Sequence, residues 1–291
     1  MTPTHEHPSE GTERTRLAPE LARATARLAE AGVASPRADA ELLAAHALGV
    51  GRGRLLLIDT LRGDELRRFT GLVEERARRI PLQHLLGTAA FRHLELSVGD
   101  GVFVPRPETE LLAGWGIERT APGATVVDLC SGTGAIALSV ADEAAPGRVI
   151  AVERSPAALD YLRRNAAPFG VVRVVPGDVT DPGLLAEYRG QVDVLLCNPP
   201  YVPDGTAVPA EVAEHDPAEA VFGGTDGLAV IRPVIALAAT LLRPGGWVGI
   251  EHDDVHASAV PELLRADGRF ADVVAHTDLP GRPRYATARR R

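Results

Sequence analysis

The chain has 291 residues, with 31 basic and 39 acidic side chains and a formal net charge of −8; every basic one is arginine. Globular proportions of hydrophobic (45%) and charged (24%) residues exclude a wholly disordered chain, and the longest apolar run, from Val234 to Leu242, is too short for a membrane span of about 18–20 residues. An acidic chain without lysine is poorly suited to gripping nucleic-acid phosphates, and two cysteines give no disulfide framework, which suits a reducing, cytoplasmic setting.

Residues 1–16 are polar, lack the apolar core of a secretory signal, and read as a disordered tail that carries His5 and His7. Residues 17–80 are rich in alanine, leucine and arginine at helical spacing. Leu17, Leu21, Ala24 and Leu28 share one face; Leu42, Leu43 and Ala47 share another. Ser35-Pro36 predicts a helix start, with serine as N-cap, and Asp64 opens another helix striped by Leu66, Phe69 and Val73. Pro81 closes that segment, and a small helical domain for recognising a partner is expected. Charge is unevenly placed: residues 1–80 hold 13 arginines and 12 acids, whereas the remainder holds 18 and 27.

The period then changes. Phe91, Leu94, Leu96 and Val98, followed by Gly99-Asp100-Gly101 and Val102-Phe103-Val104, predict a hairpin within a linker spanning 81–107. Residues 108–291 alternate strand and helix. Strands are expected at 125–129, 148–152, 171–175, 192–197, 247–251 and 271–275. Helices are expected at 135–145, 156–169, 228–242 and 255–266. That rhythm predicts an α/β fold with a doubly wound, mainly parallel sheet.

The first of these strands runs into a glycine turn and then a helix: Asp128-Leu129-Cys130-Ser131-Gly132-Thr133-Gly134. Glycines there let the backbone come close to a ligand, and the helix start offers free N–H groups. The turn is neither GxGxxG nor a lysine-bearing phosphate loop, and alone it could be a strand-to-helix connection without a ligand. Two further acids narrow the choice. Glu153 ends the second strand, where a carboxylate can accept both ribose hydroxyls of a nucleoside. Asp178, followed by Val179, ends the third and can accept from an adenine amino group. The arrangement resembles the S-adenosyl-L-methionine site of Rossmann-like methyltransferases.

Asn198-Pro199-Pro200-Tyr201 ends the fourth strand. The prolines stiffen the turn and leave its carbonyls free to accept. The Asn198 side-chain oxygen and the Pro199 carbonyl can take the two N–H bonds of a planar amide or arylamine nitrogen, fixing its lone pair and favouring a positively charged transition state. Tyr201 can pack on a planar substrate group, and its ring face suits a cationic sulfonium. The tetrad points to nitrogen methylation without a metal or covalent intermediate.

Phe103-Val104-Pro105-Arg106-Pro107-Glu108-Thr109-Glu110 resembles a hallmark of the peptide chain release factor glutamine methyltransferases, the HemK/PrmC family. So do Pro81-Leu82-Gln83 with Gly87 and Phe91, Asp216-Pro217 with the run from Ala220 to Leu228, Arg243-Pro244-Gly245-Gly246, and the run from Asp278 to Arg284. The resemblance implies methyl transfer from S-adenosyl-L-methionine to the glutamine amide of the release factors' Gly-Gly-Gln motif. It also implies a helical N-terminal domain, a hairpin linker and a seven-stranded catalytic sheet. Carried over, it puts Asp128, Cys130, Ser131, Gly132, Thr133, Gly134, Glu153, Asp178, Val179 and Asn198 at the cofactor, and Asn198, Pro199, Pro200 and Tyr201 at the glutamine. Phe103, Arg106 and Glu108 would help wall the substrate pocket.

Three positions depart from the pattern. Cys130 stands where many relatives carry a further glycine, the segment from Glu251 to His256 differs, and His84 replaces a tyrosine. His252, Asp253, Asp254 and His256 are expected to be solvated rather than metal ligands, and Cys130 with Cys197 to be small apolar fillers on neighbouring strands. DNA adenine or ribosomal RNA guanine methylation is the alternative activity, since those enzymes share the tetrad. Against it, no strongly basic region exists, so a protein partner without direct nucleic-acid binding is expected.

Overall fold

The computed structural model describes residues 14–291, so most of the expected tail, with His5 and His7, lies outside the described residues. The chain divides into two compact units, the smaller ending at Gly87 and the larger opening at Thr88.

In the smaller unit, Arg14–Arg16 (β1) pairs antiparallel with Thr60–Arg62 (β2), so residues 14–16, expected to be part of a disordered tail, form a strand. Helices α1 (Leu17–Glu30), α2 (Pro36–Leu48), α3 (Gly63–Ala77) and α4 (Leu82–Leu86) supply the rest, with a 3-10 helix at Arg52–Leu57. The predicted stripes meet in one core, where Leu21, Leu28, Leu43, Phe69 and Val73 are all buried. Burial of each such side chain contributes roughly 1.5–3 kcal/mol. Ser35 does stand at the start of α2, yet its hydroxyl makes no cap bond there. The Arg76 guanidinium crosses from α3 to Asp39 at 2.8 Å, with both side chains buried. Each charge is tolerated away from water because it has the other.

The larger unit opens with the hairpin of β3 (Thr88–Phe91) and β4 (Leu94–Ser97). Its turn is Arg92-His93, not the expected Gly99–Gly101 segment. Arg92 adopts a left-handed φ of 51°, and its guanidinium is held by both Glu143 oxygens at 2.6 Å. Val102 and Val104, read as the second hairpin strand, instead pack with Ala89, Val98 and Ala158. Apolar alternation alone could not choose between these two turns.

After α5 (Thr109–Arg119), the chain alternates β5 (Thr125–Leu129), α6 (Ala135–Glu143), β6 (Arg148–Glu153), α7 (Pro156–Ala166), β7 (Val172–Pro176) and β8 (Val192–Cys197). Two short helices, α8 (Ala210–His215) and α9 (Ala218–Val221), precede α10 (Ile231–Leu241), β9 (Leu242–Glu251), α11 (Ala259–Ala266), β10 (Phe270–Thr277) and β11 (Pro283–Arg290). The seven strands lie in the order β10-β11-β9-β8-β5-β6-β7. Strands β9, β8, β5, β6 and β7 run parallel, and β11 is antiparallel to both its neighbours.

Alternation along the central strands builds two layers. Val127, Leu129, Ile150, Val152, Leu195 and Cys197 face one way, with Ile231 and Val234 of α10 and Leu264 of α11 in the same core. Val126, Val149, Ala151, Val194 and Leu196 face the other, with Leu112 of α5, Leu138 of α6 and Leu162 of α7. A strand buried on both faces reads as a near-continuous apolar run, as β6 does from Val149 to Val152 and as β5 and β8 do but for Asp128 and Asp193. The helix expected over 255–266 is shorter, because Asp254–His256 forms a separate 3-10 turn.

Candidate functional site

The carboxyl ends of β5, β6, β7, β8 and β9 carry the residues singled out in the sequence, at the edge where open parallel sheets bind ligands. The turn after β5 is built from left-handed residues: Cys130 (φ 58°), Gly132 (φ 55°) and Gly134 (φ 90°). Cys130 therefore occupies a conformation that favours glycine. A Cβ at Gly132 would meet nothing within 4 Å, so the turn faces open space, whereas one at Gly134 would stand 2.7 Å from Leu162.

The three acids read as one set are differently placed. Asp128 is fully buried beneath the turn; its Oδ2 accepts from the Ala137 N–H at 3.2 Å and its Oδ1 has no partner among the described residues. Burial pushes its carboxyl up to about 7. Glu153 is half-buried and accepts from Gly132 N–H on Oε2, and from Arg154 and Ser155 N–H on Oε1, each at 2.8 Å. It spans from β6 to the glycine turn. Asp178 closes its own loop by accepting from the Thr180 N–H and hydroxyl at 2.8 Å, which holds its carboxyl below the usual range, with Arg154 alongside. Val179 is packed into the core with Leu184 and Leu185.

Ser131 and Thr133 have little exposed side chain; the Ser131 hydroxyl donates to the Asp128 carbonyl at 2.9 Å. Asn165 of α7 ties this turn to the hairpin. It accepts from Ser97 N–H at 2.8 Å and donates to the carbonyls of Ser97 and Thr133 at 3.1 and 3.0 Å.

The tetrad leaves β8 beside it. Pro199 and Pro200 are buried, while Asn198 and Tyr201 are half-buried. The segment after the tetrad is pinned to Val221–Gly224 neighbours: Val202 N–H donates to the Val221 carbonyl at 3.0 Å, and Gly223 N–H to the Val202 carbonyl at 2.9 Å. A Cβ at Gly223 would lie 2.6 Å from the Pro200 carbonyl, and one at Gly227 (φ 70°) would collide with the Tyr201 carbonyl. His256 donates to the Asp226 carbonyl at 2.8 Å and braces that loop. His252 and His256 are thus buried structural groups, not the solvated pair expected.

Behind the tetrad lies a network the sequence reading missed. Asn198 Nδ2 donates to the Thr109 hydroxyl at 3.1 Å. The Tyr201 hydroxyl donates to Glu251 Oε1 at 3.0 Å, while Glu251 Oε2 has no hydrogen-bond partner among the described residues. Glu251 is 1% exposed, and burial pushes it up to about 7, against the opposing pull of the neighbouring Thr109 and Tyr201 hydroxyls and of Arg284. Burial likewise raises the Tyr201 hydroxyl. Thr109 stood in the hallmark segment from Phe103 to Glu110; Glu251 opened the segment noted as differing from the family pattern, and Arg284 ended one noted only for its resemblance.

Of the predicted wall residues, Arg106 is engaged inside the protein. Its guanidinium meets Asp216 at 2.6 Å and lies 4.7 Å over the Phe103 ring. Burial raises the Asp216 carboxyl, an effect opposed by Arg106. Glu108 is exposed at the start of α5. Cys130 follows Leu129, the register partner of Cys197, and both thiols are free. Cys197 is buried as expected; Cys130 is only half-buried.

A family profile described as the PrmC N-terminal domain matches residues 21–87, and one described as the methyltransferase small domain matches 109–216. The release factor glutamine methyltransferase of Mycolicibacterium smegmatis is 56% identical over 277 residues, covering 95% of this chain and 98% of the relative. This chain belongs to the release factor glutamine methyltransferase family. The family's member in Streptomyces coelicolor is 46% identical, over 94% of this chain and 98% of its own. A 4-amino-L-phenylalanine/4-methylamino-L-phenylalanine methyltransferase of Streptomyces pristinaespiralis is 41% identical, over 88% and 89%. The fold matches that of a solved T. thermophilus 16S rRNA N2 G1207 methyltransferase in complex with AdoMet and guanosine, with a TM-score of 0.50 at 22% identity, over 70% of this chain and 50% of that one.

The cofactor of the release factor glutamine methyltransferase family is S-adenosyl-L-methionine, and the turn after β5 suits it. Gly132 opens onto free space, and carboxylates end the strands around it. Carboxylates accept from the hydroxyl and ammonium donors that such a nucleoside carries. No helix among the described residues is long and apolar enough to cross a membrane.

Proposed function

We propose that this protein methylates the side-chain amide nitrogen of the glutamine in the Gly-Gly-Gln motif of peptide chain release factors, in the cytoplasm where those factors act. The observation that carries the reading is Asn198. Its amide N–H is taken by Thr109, while no donor among the described residues takes its Oδ1. An unclaimed acceptor on a stiff turn suits an incoming amide N–H.

S-adenosyl-L-methionine supplies an electrophilic methyl group on a sulfonium. The turn from Cys130 to Gly134, with Asp128 beneath it, Glu153, and the Asp178–Val179 loop hold it; Asn198 borders both cofactor and substrate. Asn198 Oδ1 and the Pro199 carbonyl accept the two N–H bonds of the glutamine amide and hold its lone pair in line. The Tyr201 ring and Pro200 close the pocket around the planar group. Phe103 and Arg106, set by Asp216, form the wall, and Glu108 borders its entrance.

The test is labelling with tritiated S-adenosyl-L-methionine. A release factor should take label, and replacing its Gly-Gly-Gln glutamine should abolish it. Parallel arms offer 4-aminophenylalanine, DNA and ribosomal RNA. Label in one of those arms and none in the release factor would overturn the reading.

A further inference from the structure

Tyr201 is fixed at both ends. Its backbone leaves the proline-stiffened turn and enters a segment pinned by Val202 N–H to the Val221 carbonyl at 3.0 Å and by Gly223 N–H to the Val202 carbonyl at 2.9 Å. Its hydroxyl, at the far end of the ring, donates to Glu251 Oε1 at 3.0 Å. The other oxygen of that carboxyl, Oε2, has no partner among the described residues. Glu251 is 1% exposed, so water offers the phenol no equivalent acceptor there.

Glu251 stands 50 positions from Tyr201 in the chain, and strand register places it. Cys197 pairs with Ile250 in the parallel ladder of β8 and β9, which sets Glu251 beside Asn198 at the carboxyl edge of the sheet. On its other side Glu251 pairs with Tyr285 of β11. A carboxyl at the end of a strand paired on both sides is a firm mooring. A hydroxyl has one proton, and Tyr201 commits it to Glu251, so what the residue offers the pocket is its ring. A side chain locked by a hydrogen bond at its far end keeps a geometry that placement of its backbone alone leaves loose.

We infer that Glu251 is a positioning residue for methyl transfer: its carboxyl anchors the Tyr201 hydroxyl and so holds the ring against the planar group being methylated. This deepens the proposed methyl-transfer reading and rests on it for its catalytic consequence. The role requires an accepting oxygen at position 251, not a charge. Glutamine supplies that oxygen; methionine, of similar length, offers only a weakly accepting sulfur.

Protein labelled with 13C at tyrosine Cζ has four signals, from Tyr161, Tyr188, Tyr201 and Tyr285. The one absent in Tyr201→Phe belongs to Tyr201. Glu251→Met should move that signal toward the position of a phenol without a strong acceptor, and Glu251→Gln should leave it closer to wild type. Tyr161, on α7, and Tyr188, whose hydroxyl accepts from Arg173, should stay in place.

Kinetics supply the second arm. Tyr201→Phe and Glu251→Met should each lower kcat about tenfold, within the roughly hundredfold that a misplaced group can cost. KM and calorimetric cofactor affinity should stay within about threefold, because the anchored ring acts mainly in the transition state. Glu251→Gln should restore most of the rate. Adding Tyr201→Phe to Glu251→Met should cost nothing more, since the bond is already gone.

A Tyr201 signal indifferent to Glu251→Met, or rate losses that add in the double variant, would overturn the inference. A loss falling on KM or cofactor affinity instead of kcat would mark a merely structural role and overturn it too. Should Glu251→Met fail to fold, the other two variants decide: a slow Tyr201→Phe beside a faster Glu251→Gln supports the anchor, and equal rates refute it. If wild-type protein fails to label a release factor, the proposed substrate is wrong, and the tyrosine signals still decide whether Glu251 anchors the ring.

Discussion

Thr109 and Asn198 stand 89 positions apart in the chain and 3.1 Å apart in space. The first residue of α5 thus touches the residue that follows β8. The contact occupies the donor end of the Asn198 amide and leaves its acceptor end free.

Replacing Asn198 with alanine should leave cofactor binding nearly intact and lower kcat at least about a hundredfold, the scale seen when one transition-state hydrogen-bond partner is removed. Calorimetry and steady-state rates separate the two effects. Turnover close to wild type would contradict the role given to the tetrad.

Arg106→Ala should destabilise the larger unit. Asp216 is buried and would lose its cation, and the Phe103 ring would lose its cover. Removing one partner of a buried pair costs several kcal/mol; with the Arg106 side chain 34% exposed, about 2 kcal/mol is expected. Thermal unfolding should move down by several degrees, and Asp216→Asn should be milder because no buried charge is stranded.

Glu251 gives a pH signature. Burial raises its carboxyl from the ordinary range to about 7. The stability it confers is therefore complete below about pH 4 and is lost as pH rises through about 7. Glu251→Gln lacks this dependence. Its stability relative to wild type should improve between about pH 5 and about pH 8, by at most on the order of 3 kcal/mol. Urea unfolding of both proteins at the two pH values checks it; a constant difference would show that Glu251 does not titrate as described.

Cys130 tests the backbone of the turn. Its φ of 58° is costly for a side chain bearing Cβ. Cys130→Gly should be neutral within about 1 kcal/mol, strain relief being offset by the glycine's greater freedom when unfolded. Cys130→Val adds branching at the same φ and should lose about 1–3 kcal/mol. Denaturant melts distinguish the two.

What could be read from the sequence was what lies contiguous in it. The buried strand, glycine turn and helix around Asp128 are a single stretch, and so is the proline-stiffened exit from β8. Each announces its geometry through residue types. Glu251 and Arg284 announced nothing, because their importance comes from strand register: Glu251 is paired with Tyr285, the residue after Arg284. β11 itself, with arginines and alanines and little apolar alternation, was absent from the predicted strands. The hairpin turn was misplaced because Gly99-Asp100-Gly101 is the stronger local turn signal, whereas the Arg92-His93 turn has no glycine and its arginine is held by Glu143, 51 positions away in the chain. His252 and His256 looked like surface groups until the fold closed over them.

Asn165 gives this architecture an experimental handle. It joins Ser97 of the hairpin to Thr133 in the turn after β5, the turn proposed to hold the cofactor. Glu95 lies on that hairpin with its side chain exposed. A fluorophore attached at Glu95 would sit on the lever arm of the turn. Its signal would follow loading of the site in real time, and Asn165→Ala would disconnect the reporter.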